Sequence, residues 1–352
     1  MTSYAMLILP SANRVYSGTA TGLAAAELAA FNDAVLGGTL SDAEPTHLGG
    51  VPYLRFDAER LDERAAEFLS NVSSCYALFE LQDGLLRPVT MRPLDRYDDD
   101  LITIQKYQGK TNEQFTKLLL NVTVLASAAA ADMLERKLAV LDPLCGRGTT
   151  LNQALMYGYD AAGVDLDVKD FEAYSTFIKT WLKRKRIKHK ADYDGAVRRE
   201  GKVIGRRLQV RLAASRDEHK AGLTQRLDVV CADTTRAAEF FRPETFDVLV
   251  TDAPYGVQHG SRSAASGLAR RPQDLLTAAA PGWARLLRPG GAVGIAWNTL
   301  VAPRPEAAAI LATAGLEPVE SPPYLHFRHR VDQAIVRDIL VARKPATGAV
   351  AR

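Results

Sequence analysis

The sequence predicts an α/β fold: a doubly wound, Rossmann-like sheet with a small N-terminal α+β module and a basic insertion. Three observations carry this. From Lys137 onward, short apolar runs of strand length alternate with amphipathic runs of helix length. Several of the apolar runs end in an aspartate followed by turn residues. The 352 residues also exceed one small domain and leave room for a leading module. Repeated β-then-α units imply a parallel sheet covered by helices on both faces.

The elements follow in order. Residues 1–95 read as the N-terminal module, with strands over 4–9, 51–56 and 75–81 and helices over 21–35 and 61–69. Pro88, Pro93 and the acidic run 98–100 mark its end. Residues 96–136 are a connecting segment that closes with a helix over 112–131. The main domain spans 137–344. Its predicted strands cover 138–141, 161–164, 227–231, 246–251, 291–297 and 334–342. Helices are expected over 149–157, 167–183, 272–287 and 305–314. Residues 345–352 read as a flexible tail.

Composition narrows the function classes. Hydrophobic residues make up 47%, enough for a substantial core. No run of about 18 apolar residues offers a membrane span. The opening MTSYAMLILPSANR has no charged leader before its apolar stretch and reads as a strand, not a signal peptide. Three scattered cysteines suit neither a disulfide framework nor a zinc site, so a reducing cytoplasm is expected and no metal.

The first motif is VLDPLCGRGTTL (140–151), a buried strand running into a glycine turn and a helix. In open α/β sheets such turns lie where ligands bind, beyond the carboxyl ends of the strands. The spacing is neither the dinucleotide G-x-G-x-x-G nor a Walker loop. S-adenosylmethionine fits better, having no phosphates but a sulfonium cation and a ribose diol. Asp142 ends strand one and suits a cationic ligand. Asp165 ends strand two and suits two ribose hydroxyls. Asp233, near the end of strand three, suits the adenine amine. Gly146 and Gly148 let the backbone approach. Leu144, Cys145, Thr149, Leu166, Ala232 and Thr234 are expected to line the same crevice, with Cys145 packing beneath the loop as a small residue.

The second motif is LVTDAPYG (249–256), ending strand four. The nitrogen of an exocyclic base amine is a poor nucleophile because its lone pair is delocalised. Acceptors aimed at both amine protons favour a pyramidal nitrogen that attacks in line. Asp252 supplies one acceptor and the Ala253 carbonyl the second. Pro254 fixes the turn and Tyr255 offers a face for stacking. Positioning and electrostatics then carry the rate.

At these residues the chain resembles the class I methyltransferases that act on amino groups. DPLCGRGTT (142–150) and VTDAPYG (250–256) are similar to the loops of the tRNA guanosine N2-methyltransferases usually attached to a THUMP domain. QFTKLLLN (114–121) resembles the helix before their cofactor loop, which implies cofactor contacts from Phe115 and Thr116. The resemblance runs from Ile102 to the C-terminus. It implies a cofactor role for Asp142, Gly146, Asp165 and Asp233, and for Asp252 beside it. Asp252, Pro254 and Tyr255 would hold the base. Ala253 departs from the family's first proline, and the N-terminal module is shorter than a leader plus a complete THUMP domain.

The basic insertion spans 183–222. From Lys183 to Lys220, 14 Lys or Arg face 5 Asp or Glu, a net +9, leaving −6 for the rest of a chain whose total is +3. Such a cluster points to phosphates. Lys183, Arg184, Lys185, Arg186, Arg206 and Arg207 are the expected nucleic-acid contacts, with Arg262 beyond the chemistry loop. Residues 203–212 read as a strand or hairpin. Trp181 and Tyr193 read equally as base-stacking or core residues, and His259 as a solvent-facing residue or a proton acceptor. The expected activity is methylation of an RNA base amine, most readily guanine N2 in tRNA. A DNA adenine or cytosine amino-methyltransferase and a weakly active RNA-binding scaffold are the alternatives. A protein-glutamine methyltransferase is disfavoured by Asp252, where that class carries asparagine.

Overall fold

A computed structural model describes residues 1–10, 14–41, 43–107, 109–253, 272–331 and 333–346. Pro254, Tyr255, His259, Arg262 and the tail 347–352 lie outside the described residues.

The chain opens with β1 (Thr2–Ile8), α1 (Arg14–Val35), β2 (Glu44–Leu48), β3 (Val51–Ala58), α2 (Glu63–Leu69), β4 (Cys75–Gln82) and β5 (Leu85–Pro88). The strands form one antiparallel sheet in the order β2-β3-β1-β4-β5. β2 and β5 have no counterpart in the sequence reading. Both are sheet edges, and each contains a proline and mostly exposed residues, so neither shows the alternation of a half-buried strand.

Next come α3 (Asp100–Thr103) and α4 (Glu113–Ala126), then the main sheet with its helices: β6 (Ala139–Asp142), α5 (Thr149–Met156), β7 (Asp160–Asp165), α6 (Val168–Arg184), β8 (Lys188–Arg199), β9 (Lys202–Ala213), α7 (Arg216–Lys220), β10 (Gln225–Cys231), β11 (Phe246–Asp252), α8 (Pro272–Leu286), β12 (Leu287–Asn298), α9 (Arg304–Thr313), β13 (Glu317–Pro318), β14 (His329–Arg330) and β15 (Val336–Arg343). The strand order is β13-β15-β12-β11-β6-β7-β10-β9-β8, with β14 against β15. β12, β11, β6, β7 and β10 are parallel, as the alternating pattern implies. β15 and the β8–β9 hairpin pair antiparallel, so the sheet is mixed. A two-residue turn suffices between antiparallel strands, which is how the insertion extends the sheet without another crossover helix.

One hydrophobic core runs from the N-terminal sheet (Met6, Phe56, Leu78) through α4 (Phe115, Leu118, Val122) to Val140 and Val341 of the main sheet. Eleven of the fourteen residues of α4 are buried, so this helix is a wall shared by both sheets. A polar network crosses the same boundary. Glu27 of α1 accepts from the Ser73 amide and hydroxyl and from Asn121 Nδ2 at 2.7 Å. The Tyr157 hydroxyl in turn donates to Asn121. Burial pushes the Glu27 carboxyl up to about 7. A second core, under α8 and α9, covers the opposite face of the main sheet.

Candidate active site

Chain order puts a strand reversal beside β6. From β6 the chain steps outward through β7 to β10, then returns to place β11 on the other side of β6. The crevice at such a reversal, beyond the carboxyl ends of the strands, is the usual ligand site of open α/β sheets. Asp142 ends β6 and Asp252 ends β11, one on each side of the reversal. Asp165 ends β7, and Asp233 follows the last residue of β10 by two. Four acids thus stand at the ends of four neighbouring strands.

Their surroundings differ. Asp142 is buried and accepts from the Leu144 amide at 3.1 Å. Burial, augmented by the charge of Asp165, pushes its carboxyl up to about 7, although the Leu144 amide and Thr150 hydroxyl partly offset this. Asp165 accepts from the amides of Gly146 at 2.7 Å and Asp167 at 2.8 Å, and burial raises it to about 6. The Gly146 bond ties the glycine loop to the end of β7. Asp233 accepts from the Thr235 amide and hydroxyl at 2.9 and 2.7 Å, capping the short 3₁₀ helix Thr234–Glu239.

The loop between β6 and α5 requires glycine. Gly148 has φ +78°, and a Cβ there would lie 2.3 Å from the buried ring of Tyr174. Tyr174 is fixed by its bond to Asn152 at 3.0 Å. Gly146 also has positive φ. Cys145 is buried beneath the loop, and burial raises its thiol well above the usual range, which suits packing and not nucleophilic work. Leu166 is 64% exposed beside Asp165, an apolar side chain standing at the rim. Leu144 and Ala253 line an apolar recess with Ile295 and Trp297 next to Asp252.

Other expected cofactor residues have their side chains committed elsewhere. Phe115 is fully buried, with the Arg337 guanidinium 4.4 Å from its ring centroid and His329 5.2 Å away. The Thr116 hydroxyl donates back to the Asn112 carbonyl, and Thr234 accepts from Trp283 Nε1. The Ala232 amide donates to the Asp165 carbonyl, bridging β10 to β7. The Thr149 hydroxyl lies 3.2 Å from the Tyr107 hydroxyl.

Several residues near the crevice escape sequence reasoning because they converge from distant segments. Thr111 donates to Asp252 Oδ2 at 2.6 Å, and Arg337 of β15 lies 3.5 Å from the same oxygen while almost wholly buried. Burial, and then the neighbouring guanidinium, depress the His329 imidazole, against an opposing pull from Asp252. Tyr107 packs under the Arg147 guanidinium of the cofactor loop, and Arg147 in turn pairs with Asp170 at 2.8 Å. The run 102–111 offered one usable signal, its polar and aromatic content in a segment too short to fold alone. The Ala253 amide donates to the Ala296 carbonyl, carrying the β11 ladder one residue past Asp252.

Several cations of the basic insertion are paired within the chain. Arg184 pairs with Asp100 at 2.7 Å, and Lys185 with Asp98 and Asp100 at 2.6 and 2.8 Å. Arg206 pairs with Glu172, and Arg207 grips Asp228 through two bonds. Lys183 and Arg186 are exposed. Trp181 is a core residue bonded to Asp100, and Tyr193 is half-buried against Lys179.

Residues 125–290 match the family model described as the RMKL-like methyltransferase domain. Over these residues the chain is similar to that family, and the fold is that of a class I methyltransferase. The match runs from the end of α4 past the start of β12 and so includes all four acids. S-adenosylmethionine is its methyl donor, and the strand-end carboxylates fit a cationic, hydroxyl-bearing ligand. No curated protein sequence matches the chain significantly. Among solved structures, TrmN from Thermus thermophilus aligns over 98% of this chain and 100% of its own, at 15% identity and TM-score 0.44. A Burkholderia thailandensis 1,6-didemethyltoxoflavin-N1-methyltransferase bound to S-adenosylhomocysteine aligns over 62% and 76%, at 18% and 0.35. A TehB-like S-adenosylmethionine-dependent methyltransferase from Corynebacterium glutamicum aligns over 61% and 83%, at 16% and 0.32. At such scores these likenesses carry no argument about substrate. Among the described residues there is no cluster of potential metal ligands and no helix long and apolar enough to cross a membrane.

Proposed function

We propose that this methyltransferase modifies an exocyclic base amine of RNA, with guanine N2 in tRNA as the leading substrate. The observation that carries the reading is Asp252 at the end of β11, beside the strand reversal and held on one oxygen by Thr111 and Arg337. A carboxylate fixed there serves as acceptor for one amine proton and offsets the positive charge that develops on nitrogen. The Ala253 carbonyl is the proposed second acceptor, and Pro254 and Tyr255 the residues that shape the turn and stack the base.

Asp142, Asp165 and Asp233 are the proposed cofactor contacts, with Gly146 and Gly148 allowing close approach and Leu166 packing at the rim. When bound, S-adenosylmethionine supplies an activated methyl group. The chain's part is to orient the amine for in-line attack and to keep water from the sulfonium. The N-terminal sheet, which shares a core with the methyltransferase domain, is the proposed substrate-positioning module. The proposed setting is the cytoplasm.

The test is to incubate the protein with labelled S-adenosylmethionine and, separately, unfractionated tRNA, rRNA, DNA and protein, then digest and identify the modified nucleoside by mass. Label on an RNA amine supports the reading, and label on DNA alone overturns the substrate class. Intact cofactor binding with no label anywhere favours the RNA-binding scaffold, the reading that Ala253 in place of proline keeps open. Asp252→Ala is expected to abolish transfer and leave cofactor affinity within about threefold. A larger loss of affinity would remove Asp252 from the proposed role.

A further inference from the structure

Two groups within the basic cluster stand apart in space and differ in their surroundings. One group braces the fold. Arg184 and Lys185 hold the acidic segment before α3, while Arg206 and Arg207 anchor the root of the β8–β9 hairpin through Glu172 and Asp228 and through the rings of Phe171 and Phe241. Cations paired in this way contribute little net charge to a distant phosphate.

The second group lies at the hairpin tip, and strand register places it. The last residue of β10, Cys231, pairs with Arg206. The hairpin continues past that point through Val197–Gly205, Arg198–Val203 and Arg199–Lys202 pairs to a turn at Glu200 and Gly201. Glu200 has φ +50° and Gly201 φ +78°, so the turn has the double left-handed form that matches strand twist. From Arg206 to Lys202 the overhang is roughly 13 Å at a strand's rise per residue. Because β9 runs antiparallel to β10, this overhang extends beyond the carboxyl ends of the parallel strands, the edge that bears Asp233, Asp165, Asp142 and Asp252.

The tip carries Arg198, Arg199 and Lys202 against one acid, Glu200, and residues 198–203 are all exposed. Arg199 pairs with Glu239 at 3.2 Å yet stays 62% exposed. Val203 is 54% exposed among them. These residues bury almost nothing, and a two-stranded extension is marginal by itself, so the fold gains little from it. A cationic arm overhanging the substrate side of a crevice fits a polyanion laid across that crevice.

We propose that the tip of the β8–β9 hairpin is an arm that grips the RNA sugar-phosphate backbone next to the base being modified. The inference rests on the RNA reading of the active site. Arg198, Arg199 and Lys202 replace the paired Arg184, Lys185, Arg206 and Arg207 as the principal phosphate contacts of the insertion.

The experiment compares two charge reversals of equal size on one hairpin. Arg198→Glu with Lys202→Glu alters the tip. Lys188→Glu with Lys190→Glu alters the far end, where those lysines are exposed and pair with Ala213 and Arg211. Binding of fluorescently labelled unfractionated tRNA is followed by anisotropy across a salt series, with S-adenosylmethionine affinity and thermal unfolding as checks on folding. The expected result is at least about a tenfold loss of tRNA affinity and a shallower salt slope for the tip variant, with less than about threefold loss for the far-end variant. Equal losses in both, an unaltered tip variant, or a wild-type protein that binds no tRNA overturns the proposal. Wild-type methylation of RNA with no effect of the tip variant would discard the arm and leave the activity standing. Absence of nucleic-acid methylation by wild type would discard the activity instead.

Discussion

The proposed cofactor role of Asp142 and Asp165 makes affinity depend on pH in a calculable way. Burial holds their carboxyls up at about 7 and about 6. A cationic, diol-bearing ligand favours their ionised forms, so binding is accompanied by proton release. From pH 8 to pH 6 the ionised fraction of a group titrating at 7 falls about tenfold, and that of a group at 6 about twofold, so the apparent Kd rises about 20-fold, or ~1.8 kcal/mol. Near pH 7 roughly 0.6 proton is released per ligand bound. The sign for the ligand-free protein is opposite. Both carboxyls are raised above their unfolded value of about 4, so the stability tied to their protonation is present at low pH and is lost as pH rises through 6 to 7. Titration calorimetry with S-adenosylmethionine at pH 6, 7 and 8, in buffers of different ionisation heat, measures affinity and proton release together. Asp142→Asn is expected to lose most of the pH dependence. A Kd that changes less than about twofold from pH 8 to 6, or the full dependence persisting in Asp142→Asn, would refute the reasoning.

Two further outcomes follow from the geometry. Gly148→Ala introduces both an unfavourable left-handed alanine, ~1–2 kcal/mol, and overpacking against Tyr174, ~1–3 kcal/mol. It is expected to lower the unfolding temperature and weaken cofactor binding. Adding Tyr174→Leu should recover only the packing part, and wild-type stability in Gly148→Ala would contradict the loop geometry. Arg337→Met and Thr111→Val each remove one hold on Asp252 and should cut turnover about 10- to 100-fold with cofactor affinity unchanged, by the usual strength of charged hydrogen bonds. Arg337→Lys should restore part of that loss, and equal falls in cofactor affinity and turnover would mark the two residues as structural only.

The sequence by itself determined the parallel part of the sheet, because β6, β7, β10 and β11 are short apolar runs that end in a turn-forming acid or, for β10, two residues before one, and that local pattern needs no knowledge of partners. It also determined Gly148 and the order of the four acids, since strand ends in one parallel sheet lie on one edge. Tertiary structure alone decided which cations are spent on Asp98, Asp100, Glu172 and Asp228 and which remain at the hairpin tip, because pairing depends on charges 20 to 90 positions away in the chain. It alone brought Thr111 and Arg337, 226 positions apart, to one oxygen of Asp252. It also joined the N-terminal sheet to the methyltransferase domain through α4, since apolar periodicity marks a face to be buried but not what buries it.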